Sequence, residues 1–113
     1  MKFSQDDSYK FGWDGLKGWA ISSRKDFDIA SAAYFEVTRS HGLVKSKTSN
    51  RVYYILEGEG EFSIDGKIEN VKARDVVIVP KNTPYDYRAL SEVMKLFLVH
   101  TPAYNQENEV KLD

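Results

Sequence analysis

Asp65-Gly66 commits the middle of this chain to β structure. A two-residue type I′ turn needs positive φ at both central residues, and Asp-Gly meets that need between alternating runs. Upstream, Glu61 to Ile64 alternates polar and apolar residues, and Lys67 to Val71 returns on the other side. Before them, Val52-Tyr53-Tyr54-Ile55-Leu56 is a β-branched and aromatic run suited to a pleated, buried surface. Glu57-Gly58-Glu59-Gly60 breaks that run with two glycines. A turn over Lys72 to Arg74 leads into Asp75 to Val79, a short apolar strand stopped by Pro80. The segment Pro80-Lys81-Asn82-Thr83-Pro84 cannot extend a ladder, because neither proline carries an N–H. Tyr85-Asp86-Tyr87 then opens a further strand, so residues 51–87 predict an all-β barrel or sandwich.

The flanking sequence supplies the remaining strands. Lys2 to Lys10 reads as a polar arm, Trp13-Asp14-Gly15 as a turn, and Leu16 to Ile21 as a first strand or an edge hairpin. Ile29 to Thr38 contains alanines that favour helix, but Tyr34, Phe35 and Val37 are strand formers and a barrel needs an element here. Arg39 to Gly42 is a turn, Leu43 to Ser49 a short strand, and Met94 to His100 a central apolar strand. Thr101 to Tyr104 ends that strand and opens the C-terminal tail, residues 101–113. Asn105 to Asp113 is polar and acidic apart from Val110 and Leu112, and is expected as a strap, a short turn or a mobile end. At 113 residues this is one domain, with its barrel over about 16–100. Sixteen basic residues against 17 acidic ones leave no nucleic-acid footprint. No cysteine is present to form a disulfide or a thiolate nucleophile, and no apolar run approaches a membrane span. The N-terminal stretch also lacks a signal peptide's apolar core, so a cytoplasmic protein with no membrane partner is expected.

The central segment resembles the cupin superfamily, whose members are small jelly-roll barrels. The family's second motif, Gly-Asp, an apolar strand and Pro-x-Gly-x-x-His, is matched by Arg74-Asp75-Val76-Val77-Ile78-Val79-Pro80-Lys81-Asn82-Thr83-Pro84-Tyr85. Its first motif ends in a glutamate, an apolar strand and a glycine, matched by Arg51 through Gly58. The resemblance implies a single cupin-type jelly-roll β-barrel. It departs from the family where a metal-binding cupin presents three histidines and a glutamate. Those positions hold Lys45, Lys47, Arg51 and Tyr85. Ammonium and guanidinium groups repel a cation, so no metal and no other cofactor is expected.

Period-two geometry sets Arg51 and Tyr53 on one face of their strand and Tyr85 and Tyr87 on one face of theirs. With Lys45 and Lys47 they form the expected ligand-binding set, cationic and rich in phenols. Cations suit a carboxylate or phosphate, and tyrosine rings stack on a sugar or planar acid. Each piece has a plainer reading: solvated lysines, core tyrosines, and Arg51 paired with Glu57, Glu59 or Asp86 on the rim. His100 ends an apolar strand and, with Tyr85, is the candidate catalytic group; His41 sits in a turn. No Ser/His/Asp signature, phosphate loop or zinc spacing is present. The sequence therefore predicts a metal-independent protein holding a small polar or anionic ligand, a sugar derivative or organic acid. A sugar isomerase or epimerase and a non-catalytic interaction or sensor module are the alternatives. Because Val52 to Leu56 and Val76 to Val79 are apolar on both faces, one face must be covered by the N-terminal strands or by a second subunit, and a homodimer is expected.

Overall fold

The computed structural model describes residues 1–112. Eleven strands form two antiparallel sheets packed face to face. One sheet is built from Tyr9–Trp13 (β1), Leu16–Ala20 (β2), Ser31–Val37 (β3), Asn50–Glu57 (β5), Val76–Val79 (β8) and Met94–Thr101 (β10), in the order β1-β2-β3-β10-β5-β8. The other holds Val44–Ser46 (β4), Glu59–Ile64 (β6), Lys67–Lys72 (β7), Tyr85–Ala89 (β9) and Glu109–Lys111 (β11), in the order β11-β4-β9-β6-β7. This is the expected all-β jelly-roll barrel.

The turn chemistry is realised where the sequence placed it. Asp65 and Gly66 both take positive φ, 51° and 80°, and join β6 to β7. Gly58 ends β5 at φ +86°, where a Cβ would stand 2.2 Å from the Val93 carbonyl oxygen, so no other residue fits without moving the β9–β10 connection. Alternation then fills the space between the sheets. Val37, Tyr53, Ile55, Phe62, Leu96 and Leu98 have no exposed surface and join one continuous core. Each such side chain contributes about 1.5–3 kcal/mol relative to exposure, an upper bound because the unfolded chain already hides some surface.

One feature departs from the sequence reading. The polar arm gives way to a strand by Tyr9, and β1 with β2 forms a hairpin that pairs against β3 at the far edge of the six-stranded sheet. These N-terminal strands extend that sheet without covering its outer face. As a result β8 is buried on one side only: Val77 and Val79 point inward, while Val76 and Ile78 remain 58% and 62% exposed. The tail takes the expected strap and short turn. A 3₁₀ turn at Gln106–Asn108, capped by the Asn105 side chain, delivers β11 antiparallel to β4.

Candidate functional site

A cavity of about 1240 Å³ opens between the sheets at one end of the barrel. Its walls come from the β1–β2 hairpin, from β3, β5, β9 and β10, and from the strap after β10. Inward alternation along β5 brings Arg51 and Tyr53 to this wall, and β9 brings Tyr85, while Tyr87 lies buried behind them. The hydroxyls of Tyr53 and Tyr85 share a hydrogen bond at 3.1 Å. Burial raises all three phenols well above the usual tyrosine range, so they act as neutral hydrogen-bonding groups.

Arg51 is 3% exposed and donates from its guanidinium to Glu109 Oε1. The rim acids Glu57, Glu59 and Asp86 are not its partners; the acid comes from β11, a strand the sequence did not reveal. Glu109 stands opposite Ser46 in the β4–β11 ladder, so three residues of strand pairing place this carboxylate in the barrel. Burial pushes the Glu109 carboxyl above its ordinary value, opposed by the Arg51 charge and by Ser46. The Arg51 Cζ also sits 5.6 Å from the Tyr85 ring centroid, a cation–π contact. The buried guanidinium of the cavity is therefore already countered, while Arg24, Lys25 and Lys111 stand at its exposed edge.

Lys45 and Lys47 are not part of this cavity. β4 turns Val44 and Ser46 inward, and period-two geometry sends the two lysines to the opposite face, where Lys45 is half-buried and Lys47 exposed. Of the expected cations, Arg51 reaches the cavity and the two lysines do not.

Both histidines do reach the cavity. His41 follows β3 in a loop held at two points: its N–H donates to the Tyr87 carbonyl, and the Gly42 N–H donates to Asp86 Oδ1 at 2.8 Å. Its ring stacks on Tyr87 at 4.7 Å and on Tyr85 at 5.7 Å, with the Trp13 edge 5.7 Å away. Nδ1 lies 2.9 Å from the Gly42 carbonyl oxygen, which can only accept, so Nδ1 carries a proton. His100, across from Arg51 in the β5–β10 register, is 6% exposed and its Nδ1 has no hydrogen-bond partner. Burial, reinforced by the Arg51 and His41 charges, lowers its pKa from 6.5 to about 3, leaving a neutral imidazole.

The outer lip is aromatic. Tyr9, Phe11 and Trp13 project from one face of β1, with successive ring centroids 6.4 and 6.2 Å apart. Phe11 lies across Gly18, where a Cβ would meet the ring at 2.3 Å, and meets Phe35 edge-on. Tyr9 and Trp13 are 73% and 48% exposed, so each offers a free ring face. Among the described residues, no three His, Cys, Asp or Glu side chains converge to hold a metal ion, and no helix is long and apolar enough to cross a membrane. Sequence reasoning missed Glu109, Trp13 and the role of His41 in the wall.

Comparison with known proteins agrees with the architecture. The cupin domain family model matches residues 35–100. An uncharacterized protein of Methanocaldococcus jannaschii is 34% identical over 67 residues, 58% of this chain, and the match covers 54% of that relative's length. Another, from Aquifex aeolicus, is 29% identical over 83 residues, 66% of this chain and 69% of its own. The chain thus spans about half the length of the first of these relatives. Among solved structures, Streptomyces Pac13, a nucleoside dehydratase, superposes with a TM-score of 0.88 at 24% identity, covering 99% of this chain and 90% of that one. A histidine-to-glutamine variant of the same protein with uridine gives 0.89 at 23% identity, again over 99% and 90%. Oxalate decarboxylase of Bacillus subtilis gives 0.88 at 17% identity, over 97% of this chain but 31% of that one.

Proposed function

This chain belongs to the cupin family, and we propose that it holds a small, uncharged, hydroxyl-bearing ring compound of the sugar or nucleoside class in its barrel without a metal ion. The observation that carries this reading is the Arg51–Glu109 pair inside an aromatic cavity. Among the described residues Arg51 is the one buried cation at the cavity and Glu109 already takes it, while both candidate lysines lie outside and Arg24, Lys25 and Lys111 line only its exposed edge. The organic-acid branch of the expectation is the less favoured one, because the buried cation is already paired. What remains suits hydroxyl groups: neutral phenols, a neutral His100 with an unmatched Nδ1, and ring faces for stacking. The buried guanidinium, standing where a metal-binding cupin carries a ligand, disfavours a divalent cation at the same place.

The nucleoside branch draws on the lip. A planar base lying on Trp13 or Phe11 leaves an attached sugar facing His41, Tyr53 and Tyr85. A fold neighbour is a nucleoside dehydratase, and its variants with a histidine or a tyrosine replaced have been solved with uridine. At that identity the likeness carries the fold alone, and this chain's own histidine and tyrosines bring the ligand class into the reading.

A second reading, catalysis, is favoured by the two histidines. Isomerisation, epimerisation or elimination of water from a sugar each needs a base to take a carbon-bound proton and an acid to return one or to protonate a leaving hydroxyl. His41 Nε2 is suited to the base and a tyrosine hydroxyl to the acid. Titration calorimetry with uridine and with ribose tests the binding claim. Saturable binding that weakens in Trp13→Ala and in Tyr85→Phe is expected. Binding of a dicarboxylate or sugar phosphate but of neither neutral compound would overturn it.

A further inference from the structure

The inner face of the six-stranded sheet carries a row whose side chains change abruptly in size. In cross-strand register it runs Val77, Tyr53, Leu98, Ala33, Ala20 and Tyr9, from β8 across to β1. Ala33 and Ala20 bring only methyl groups, with a tyrosine beyond them on either side. The neighbouring row on the core side stands taller there, because Phe11 lies across Gly18 and meets Phe35 edge-on at 5.6 Å. On the mouth side stand His100 and Ser31, opposite each other in the β3–β10 register. The two alanines thus floor a trough with aromatic rings along one wall and polar groups along the other. Tyr53 and Tyr9 are four inter-strand steps apart, which at about 4.8 Å each is ~19 Å.

A sugar or nucleoside against His41, Tyr53 and Tyr85 occupies the Tyr53 end alone. The whole cavity, about 1240 Å³, exceeds the roughly 300–1,000 Å³ of an ordinary small-molecule site. The other end has recognition chemistry of its own. Tyr9 lines the cavity and stacks on Phe11 at an interplanar angle of 17°, leaving one ring face exposed. Ser22 Oγ accepts the Ala32 N–H at 3.0 Å and Ser31 Oγ accepts the Tyr104 N–H at 2.9 Å, so each keeps a hydroxyl proton to donate. His100, 6% exposed, has no hydrogen-bond partner at Nδ1 and stands beside the middle of the trough.

Given the sugar or nucleoside reading on which it rests, we propose that this trough is a second subsite and that the ligand is an uncharged glycoside of at least two linked rings. One ring lies at His41, Tyr53 and Tyr85. The second, a hydroxyl-bearing sugar, lies over Ala20 and Ala33 with its C–H face on the Tyr9 ring. Its hydroxyls accept from Ser22 and Ser31, and a hydroxyl near the junction of the two rings supplies the partner that His100 Nδ1 lacks. The methyl floor is what leaves depth for that second ring; a larger side chain at either alanine would fill it.

Titration calorimetry with glucose, maltose and cellobiose, run beside uridine and ribose, tests the proposal. At least one of the two disaccharides is expected to bind about tenfold more tightly than glucose. Tyr9→Ala removes the stacking face and Ala20→Leu fills the floor, and each should abolish that gain while uridine still binds. Tyr9 is largely exposed, so Tyr9→Ala is expected to keep the wild-type far-ultraviolet circular dichroism. Uridine or ribose binding with neither disaccharide held more tightly than glucose would overturn the second subsite and leave the first intact. So would a disaccharide gain that survives Tyr9→Ala. Failure of uridine, ribose and all three sugars to bind would overturn the sugar or nucleoside reading and the subsite with it.

Discussion

Removing the Glu109 carboxylate should destabilise the protein far more than removing any other ion-paired acid in the structure. The side chains of Arg51 and Glu109 are 4% and 13% exposed, so Glu109→Ala leaves a guanidinium in the barrel with no counter-charge. Breaking a buried pair from one side costs about 3–5 kcal/mol, because the surviving charge stays desolvated. The Tyr85 ring beneath Arg51 offsets part of that, on the order of 1 kcal/mol, which puts the expectation near the lower end. For a 113-residue chain, about 3 kcal/mol corresponds to a fall in Tm of roughly 12 °C. Asp14→Ala is the internal control: it breaks the Arg39–Asp14 pair, 71% and 84% exposed, and should change stability by less than about 1 kcal/mol. Arg51→Met combined with Glu109→Leu removes both charges and should recover most of the loss. Urea denaturation with m-values measures all four proteins. If Glu109→Ala stays within about 1 kcal/mol of wild type at an unchanged m-value, Arg51 has reached solvent and the buried, charge-balanced pair is wrong.

Three further outcomes are expected. His100 is neutral in the folded state, with its pKa lowered from 6.5 to about 3, so folding excludes a proton that the unfolded chain accepts. Its contribution is present above pH 6.5 and is lost as the pH falls toward the folded value, by at most about 5 kcal/mol in total. His100→Asn should flatten that acid limb in denaturation measured as a function of pH, and an unchanged limb would contradict the burial argument. Gly58→Ala should cost roughly 2 kcal/mol, because the added carbon meets the Val93 carbonyl oxygen in a left-handed backbone; an unaltered urea midpoint would refute the close approach. Lys45→Ala and Lys47→Ala should leave uridine affinity unchanged by calorimetry, whereas a marked loss would bring those lysines back into the site.

The sequence carried the barrel and half of the cavity for local reasons. Asp65-Gly66 and Gly58 determine turns by backbone φ alone, and period-two alternation along single strands sufficed to aim Arg51, Tyr53 and Tyr85 inward. What escaped depends on contacts between distant segments. Glu109 lies in a stretch, Asn105 to Leu112, whose composition resembles any solvated tail. Only its pairing with β4, more than sixty positions earlier, gives that carboxylate a burial site and Arg51 a partner. His41 looked like a turn residue because nothing local shows that its loop is tied down by Asp86 and Tyr87. Lys45 and Lys47 were drawn in by the family motif, whereas β4 spans only three residues and presents Val44 and Ser46 to the interior instead. The doubly apolar strands were legible as an unmet surface, and Val76 and Ile78 remain exposed in the fold.

Direct competition between neutral and anionic ligands, measured by titration calorimetry on the wild-type protein, bears most closely on the claim of a charge-balanced aromatic barrel. Uridine or ribose should bind and should not be displaced by succinate or by ribose 5-phosphate at equal concentration. Tighter binding of either anion than of its neutral counterpart would mean that Arg51 is available to ligand after all.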